Sequence, residues 1–161
     1  MKIENNFSDV LTEKSLLYPN KVYCHKINGR KITFLELEHY VNKCCRFFEE
    51  TGVGFGEVVN ISIPNSISSI VFYLAGIRSG IKVNPCPSTL SENELIKNIN
   101  FVESKLLITQ KLIDADNIPG NCSLKQKDVL FDNAKQCPVR VQINLMKGCT
   151  IELDFALITL V

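Results

Sequence analysis

The feature that most constrains this chain is the alternation of strand patterns with helix patterns between residues 58 and 109. Residues 58–63 and 105–109 are short, mostly apolar runs typical of buried strands, and residues 82–84 read as a further short strand. The segments between them carry apolar residues at helical spacing: Ile67, Ile70, Val71, Leu74 and Ile77, then Leu95, Ile99 and Val102. A strand–helix–strand–helix–strand order favours parallel strands, because each helix returns the chain to the same end of the sheet. The predicted fold class is therefore α/β, a mostly parallel sheet flanked by helices.

The region before residue 58 predicts a helix, a hairpin and a second helix. Residues 7–18 read as a helix with Ser8 near its start and with Val10, Leu11 and Leu17 on its packed side. Strands over residues 22–27 and 31–34 flank Asn28-Gly29, a strong hairpin turn signal.

The second helix begins at Thr33-x-x-Glu36, a capping box in which each side chain accepts a backbone N–H that the helix leaves unbonded. Apolar and polar residues then separate onto two faces, and Gly52 ends the helix. The apolar stripe is Leu37, Val41, Cys44 and Phe48; the polar face is Glu38, Asn42, Arg46, Glu49 and Glu50.

Further signals set the later boundaries. Gly80 closes the third helix, and Ser91-x-x-Glu94 opens the fourth as a second capping box. Residues 117–127 are loop-like, and residues 139–145 alternate between apolar and polar as a half-exposed strand does. We expect one unit over residues 1–116 and a strand-rich continuation over residues 117–161.

Composition narrows the class of protein. The 161 residues are 45% hydrophobic and 22% charged, which is typical of a globular domain. A net charge of +1 gives no electrostatic argument for binding nucleic acid or an anionic membrane. The polar start MKIENNFSDV lacks the apolar core of a secretory signal, and the uncharged residues 58–77 are interrupted by Pro64 and polar residues. We therefore expect a cytoplasmic protein without a membrane span.

The number and spacing of the cysteines predict that they pack as small side chains and do not form disulfides or bind a metal. There are seven: Cys24, Cys44, Cys45, Cys86, Cys122, Cys137 and Cys149. An odd number, scattered spacing and no C-x-x-C indicate reduced thiols that pack as small apolar residues. Only His25 and His39 could complete a zinc site, and neither lies at ligand spacing, so we expect no bound metal.

Residue chemistry alone predicts no active site. The glycines of TGVGFGE follow a helix and precede a strand, the reverse of a phosphate-binding loop, so we interpret them as a helix stop and a turn. His25 and His39 read as surface residues, and Glu49-Glu50 as a solvated face. We therefore assign no catalytic, cofactor-binding or metal-binding residue.

The order of these pieces resembles the N-terminal part of the adenylate-forming (AMP-binding) superfamily, which includes acyl-CoA synthetases and peptide-synthetase adenylation domains. The matching stretches are LLYPNKV, NGRKITFLELEHYVNKCCRFFEETGVGFGEVVNISIPNS, IVFYLAGIRSGIKVNPCPSTLSENEL and KLLIT. The resemblance extends over residues 7–113 and returns at DFALITLV. Glu57 and Cys86 depart from the usual pattern, which leaves the subfamily open.

The resemblance implies a function that these residues do not themselves perform. In this family, a strand like DFALITLV leads into the loop that binds the phosphates of ATP. We therefore expect an N-terminal fragment of a carboxylic-acid-activating ligase, inactive alone. The parent would use ATP and Mg²⁺, with CoA or a carrier-protein phosphopantetheine as the thiol acceptor. Neither the acid nor the choice between CoA ligase, carrier-protein adenylation domain and acyl-AMP ligase follows from the sequence.

A different class of function stays open. The chain can also be read as a stand-alone, non-catalytic interaction or scaffold module derived from the same family. On either interpretation the apolar residues 155–161 form an aggregation-prone strand, and we expect self-association through it.

Overall fold

The computed structural model describes residues 7–25, 31–109, 126–129 and 139–143. The helices are α1 (Phe7–Leu17), α2 (Phe34–Glu50), α3 (Ile67–Arg78) and α4 (Glu92–Phe101). The strands are β1 (Val22–His25), β2 (Lys31–Thr33), β3 (Val58–Ser62), β4 (Lys82–Pro85), β5 (Leu106–Thr109), β6 (Gln126–Val129) and β7 (Val139–Ile143). Asn28-Gly29 and residues 154–161 lie outside the described residues.

The main sheet has the strand order β4-β3-β5-β7-β6. Strand β3 pairs in parallel with β4 on one side and with β5 on the other. Strand β7 pairs antiparallel with β5 and with β6. The α/β fold class predicted from the sequence is confirmed. The predicted loop over residues 117–127 is wrong at its end, because β6 already begins at Gln126.

The hairpin and the second helix form as predicted. Strands β1 and β2 pair antiparallel, with Val22 opposite Thr33. Thr33 caps α2: its hydroxyl accepts the Glu36 amide at 3.2 Å, and its own amide donates to Glu36 Oε2 at 2.8 Å. The helix ends at Glu50, and Gly52 follows with a φ of 73°, a conformation that costs glycine little.

Alternate residues of the parallel strands face two separate cores. Val59 and Ile61 join the large core, which α2 and α3 cover. Leu107 faces the opposite way, into a smaller core beneath α4. Asn60 lies on the α4 side too, since its side chain bonds to Asn98 of that helix. The parallel strands are therefore the middle of three layers, with one apolar face and one partly polar face.

The predicted packing faces of α1 and α3 need correction. Val10 and Leu17 are 38% and 58% exposed, whereas α1 buries Ser8, Leu11 and Ser15. A polar packed face is stable here because Arg78 reaches it and donates to Ser8. In α3, Ile77 is 48% exposed. The buried stripe of α3 is wider than predicted and includes Phe72 and Ala75.

Candidate functional site

The topology selects the carboxyl ends of the parallel strands as the candidate functional site. The chain leaves β3 through α3 to β4 on one side, and α4 then carries it back to β5 on the other side. In open α/β sheets, ligands bind outside the carboxyl ends of the strands where the direction of winding reverses. We call the residues that follow β3 and β4, 63–66 and 86–91, together with the end of β5, the carboxyl edge.

Side chains and backbone of the carboxyl edge hold the strand ends together. The Ser62 hydroxyl donates to the carbonyl of Pro87 at 3.1 Å, and the Cys86 amide donates to the carbonyl of Ile61 at 2.8 Å. Ser66 caps α3 by accepting the Ser69 amide at 3.3 Å and donating its own amide to Ser69 Oγ at 2.9 Å. The ends of β3 and β4 are therefore fixed relative to each other and to the start of α3.

The chemistry available at the carboxyl edge is limited. Residues 62–69 and 85–91 include no lysine, arginine, histidine, aspartate or glutamate. These two segments therefore offer no cation for a phosphate, no carboxylate for a divalent metal and no general base. Mg²⁺–ATP is not matched by the residues described at this edge.

A cluster of asparagines lies behind this edge, between β3, β4 and α4. The Asn98 Oδ1 atom accepts the side-chain amides of Asn60 at 2.9 Å and Asn84 at 2.8 Å, and it lies 3.3 Å from Cys86 Sγ. Asn84 also donates to Asn60 Oδ1 at 3.1 Å. Burial raises the pKa of the Cys86 thiol, so this sulfur is protonated near neutral pH and is not poised as a nucleophile.

The predicted turn at TGVGFGE is confirmed. The Gly54 amide donates to Glu57 Oε2 at 2.7 Å, and the Gly56 amide donates to the carbonyl of Gly80 at 2.8 Å. Glu57 Oε1 pairs with Lys105 Nζ at 3.1 Å. The Gly54 hydrogen bond lowers the pKa of Glu57, and Lys105 adds to the effect. The turn leads directly into Val58, the first residue of β3, so it lies at the amino end of the sheet, opposite the carboxyl edge.

The other residues weighed in the sequence lie away from the carboxyl edge. His25 belongs to β1, and His39, Glu49 and Glu50 belong to α2. All four side chains are exposed, so the prediction of surface residues is confirmed. Within the part of the chain that the structure describes, no three side chains of histidine, cysteine, aspartate or glutamate are grouped to hold a metal. No disulfide links Cys24, Cys44, Cys45 or Cys86; the remaining three cysteines lie outside the described residues.

Sequence reasoning missed the polar network centred on Arg78. The Arg78 guanidinium donates to both carboxylate oxygens of Glu38, at 3.0 and 2.8 Å, and to Ser8 Oγ at 2.6 Å. It also donates to Thr12 and Asn42. One side chain thus connects α1, α2 and α3. The sequence did contain a signal for this network, because Arg78 is the first charged residue after the twenty uncharged residues 58–77.

The parallel strands form the middle of three layers, and the direction of winding reverses at β3. This arrangement defines the class as an α/β protein of the doubly wound type. A family model described as AMP-binding enzyme matches residues 11–145. The chain belongs to this family. The resemblance proposed from the sequence is thereby confirmed.

Curated relatives and solved structures agree with the family. The chain is 36% identical over 78 residues to a probable CoA ligase of Humulus lupulus, covering 48% of this chain and 15% of that protein. It is 23% identical over 141 residues to 2-succinylbenzoate–CoA ligase of Bacillus cereus, covering 88% of this chain and 28% of that protein. Apo MatB from Rhodopseudomonas palustris superposes with a TM-score of 0.54 at 26% identity, over 55% of this chain and 18% of that chain.

An artificially fused adenylation–carrier-protein di-domain from Klebsiella oxytoca superposes with a TM-score of 0.60 at 24% identity. The match covers 71% of this chain and 21% of that chain, and at this identity it supports the fold alone. The present chain spans between 15% and 28% of the lengths of these curated CoA ligases. Among the described helices, none is both long and apolar enough to cross a membrane.

Proposed function

We propose that this chain is the N-terminal scaffold of an ATP-dependent ligase that activates a carboxylic acid and transfers the acyl group to a thiol. The match of the AMP-binding enzyme model to residues 11–145 carries this proposal. The CoA ligases among its relatives favour CoA as the thiol, and the adenylation–carrier-protein neighbour keeps a carrier-protein pantetheine as the second choice.

The proposed reaction has two steps. A carboxylate oxygen of the acid attacks the α-phosphorus of ATP, the bond to the bridging oxygen breaks, and pyrophosphate leaves. A thiolate sulfur then attacks the acyl carbon of the adenylate, and AMP leaves with the electrons of the broken carbon–oxygen bond. Both steps depend on stabilising negative charge on phosphate oxygens, which requires cations or aligned backbone amides.

The described residues are suited to support this chemistry but not to perform it. They fix the carboxyl ends of β3 and β4 through Ser62, and they cap the adjoining helix α3 through Ser66. They supply no cation or carboxylate over residues 62–69 and 85–91. We therefore infer that residues 1–116 act as scaffold, that residues 117–161 continue towards the ATP site, and that the 161 residues alone form no acyl-adenylate.

Exchange of radiolabelled pyrophosphate into ATP tests the inactivity of the chain. The purified 161-residue chain, assayed with Mg²⁺ and a panel of aliphatic and aromatic acids, should give only the background of a no-enzyme control. Exchange above that background, dependent on one acid, would contradict the scaffold proposal.

Reading the coding DNA beyond the codon of Val161 tests the ligase itself. An open reading frame with a Ser/Thr/Gly-rich run ending in lysine supports the ligase, and a stop codon favours a non-catalytic module.

The alternative is a non-catalytic interaction module built on the same fold. Such a module needs a partner to cover the apolar residues 155–161 and is silent in the exchange assay, so a purified 161-residue chain that is monomeric and melts cooperatively would count against it. Cross-linking in cells followed by identification of a single stoichiometric partner would favour this alternative over the ligase scaffold.

Self-association through residues 155–161 is a separate proposal, supported by the apolar composition of that segment. Deleting residues 155–161 should shift the chain from oligomers to monomer in sedimentation velocity. A deletion of the same length at the polar start, residues 1–7, is the matched control. Unchanged sedimentation after the C-terminal deletion would contradict the proposal.

A further inference from the structure

Helix α1 carries an apolar stripe that the described fold leaves exposed. Val10, Leu17 and Tyr18 lie within about 100° of arc around the helix axis, because residues seven and eight positions apart fall on one face. They are 38%, 58% and 49% exposed. Ser8 and Ser15, on the opposite side of the helix, are buried. Val10, Leu17 and Tyr18, which we call the outer stripe, are therefore available to contact another molecule.

Two lysines converge on the ring of Tyr18 at one edge of the outer stripe. Lys14 Nζ is 5.7 Å and Lys21 Nζ is 5.5 Å from the ring centroid, within the range of a cation–π contact. The backbone holds the three residues together, since the Tyr18 amide donates to the Lys14 carbonyl at 2.9 Å and the Lys21 amide donates to the Tyr18 carbonyl at 3.0 Å. Among the described residues, neither lysine forms an ion pair. This edge therefore presents two positive charges that a carboxylate of another molecule can neutralise.

The other edge of the outer stripe carries the complementary charge. Glu13 is exposed, and on the helix it flanks Leu17 on the side away from Lys14. Glu13 also precedes Tyr18 by five residues. In a parallel pair of helices, edge residues five positions apart meet across the contact, and such pairs form the interhelical salt bridges of coiled coils. A second copy of α1, laid parallel on the first, therefore brings each Glu13 to the lysines of the other copy.

The mixed charge of the two edges selects a second copy over an anionic membrane. Recognition of an anionic membrane takes clusters of about four to eight cations. The outer stripe offers Lys14 and Lys21 only, and the exposed carboxylate of Glu13 beside them would be repelled. A second copy satisfies both edges with residues that the chain itself carries, because a two-fold axis makes one surface its own complement.

We propose that the outer stripe is a self-association surface, at which two copies of the chain pack α1 against α1 in parallel. Val10 and Leu17 meet their counterparts near the two-fold axis, and Glu13 faces Lys14 and Lys21 of the other copy. The contact is small compared with the about 20–30 residues that each side of a standard interface contributes, so we expect a weak dimer with a dissociation constant of about 10–300 µM. The surface uses no residue of the carboxyl edge and is independent of the ligase proposal.

A zero-length carbodiimide cross-link tests the contact directly, because it joins a carboxylate to an amine only where the two touch. The full chain, mixed equally with heavy-isotope-labelled chain at about 100 µM, is cross-linked and digested for mass spectrometry. We expect mixed-isotope peptides that join Glu13 of one copy to Lys14 or Lys21 of the other. Their absence, or cross-links between copies that lie only elsewhere, would overturn the proposal. This readout does not depend on association through residues 155–161, which forms no such link.

Sedimentation velocity from about 5 to 500 µM measures the dimer itself; below this range the contact dissociates, so the effect of deleting residues 155–161 is read there. Leu17→Gln should raise the dissociation constant at least about tenfold, because both copies lose a packed leucine. Leu16→Gln is the matched control, since Leu16 is 76% exposed but points about 100° away from Leu17, and it should change the constant less than about twofold. Equal effects of the two variants would contradict the proposal.

Charge reversal separates the proposed pairing from an effect on folding. Glu13→Lys should weaken the dimer, because it places like charges opposite Lys14 and Lys21. Adding Lys14→Glu and Lys21→Glu to that variant should restore the dissociation constant to within about threefold of its original value. A triple variant that keeps the circular dichroism of the unaltered chain but does not regain the dimer would rule out this pairing. If the triple variant does not fold, the cross-link in the unaltered chain remains decisive.

Discussion

Replacing Arg78 with methionine should destabilise the fold substantially, because this side chain connects three helices. The Arg78 and Glu38 side chains are only 17% and 13% exposed, and the guanidinium binds both carboxylate oxygens. Removing one partner of a buried ion pair costs about 3–5 kcal/mol. Thr12 and Asn42 still donate to Glu38, at 3.1 and 3.2 Å, and partly compensate. We therefore expect a loss of about 2–3 kcal/mol in the free energy of unfolding.

Urea denaturation followed by circular dichroism measures this loss, and thermal unfolding should show a fall in Tm of roughly 4–12 °C. Arg46→Met is the matched control, since Arg46 is an exposed arginine of α2 that is not among the side chains bonded to Arg78 or Glu38. Arg78→Lys should be intermediate, because lysine keeps the charge but not the two-pronged geometry. A loss for Arg78→Met below about 0.5 kcal/mol, no larger than that of Arg46→Met, would refute the reasoning.

Two further predictions concern the turn at the amino end of the sheet. Gly80→Ala should cost about 1–2 kcal/mol in urea denaturation, because Gly80 has a φ of 67°. An added Cβ would also meet the exposed Phe55 ring, which can move aside, so the double variant with Phe55→Ala should recover little of the loss. Gly54→Ala, without a positive φ, is the control. Because Gly54 and Lys105 lower the pKa of Glu57, its contribution to stability is complete above its ordinary pKa of 4.5 and is lost as the pH falls through the lower folded value. Glu57→Gln should therefore flatten the decline of stability below that pH, and an unchanged decline would contradict this account.

Local signals explain why much of the fold could be predicted. The capping boxes at Thr33 and Ser91 involve residues three apart, and both form as expected. The stripe of α2 is set by helical geometry, and Leu37, Val41, Cys44 and Phe48 are all buried. Such features depend on short-range geometry that a sequence states directly.

Features that depend on tertiary contacts could not be read in the same way. The packed face of α1 contains Ser8 and Ser15 because Arg78, 70 residues further along the chain, donates to Ser8. Asn60 reads as an interruption of an apolar strand, yet it is fully buried because Asn84 and Asn98 supply its partners. A polar residue's burial is decided by partners whose positions only the fold provides.

The two ends of the parallel strands differ in the charged residues that surround them. The ion pair of Glu57 and Lys105 flanks the amino ends of the parallel strands, while residues 62–69 and 85–91 at the carboxyl ends carry no charge. A site that polarises phosphate oxygens needs cations or converging amides close to the reacting atoms. The carboxyl edge therefore contributes position and shape, and the charges for adenylation must come from residues outside these two segments. What the described residues contribute to the proposed reaction is therefore the fixed spacing of the strand ends, which the hydrogen bonds from Ser62 to Pro87 and from Cys86 to Ile61 maintain.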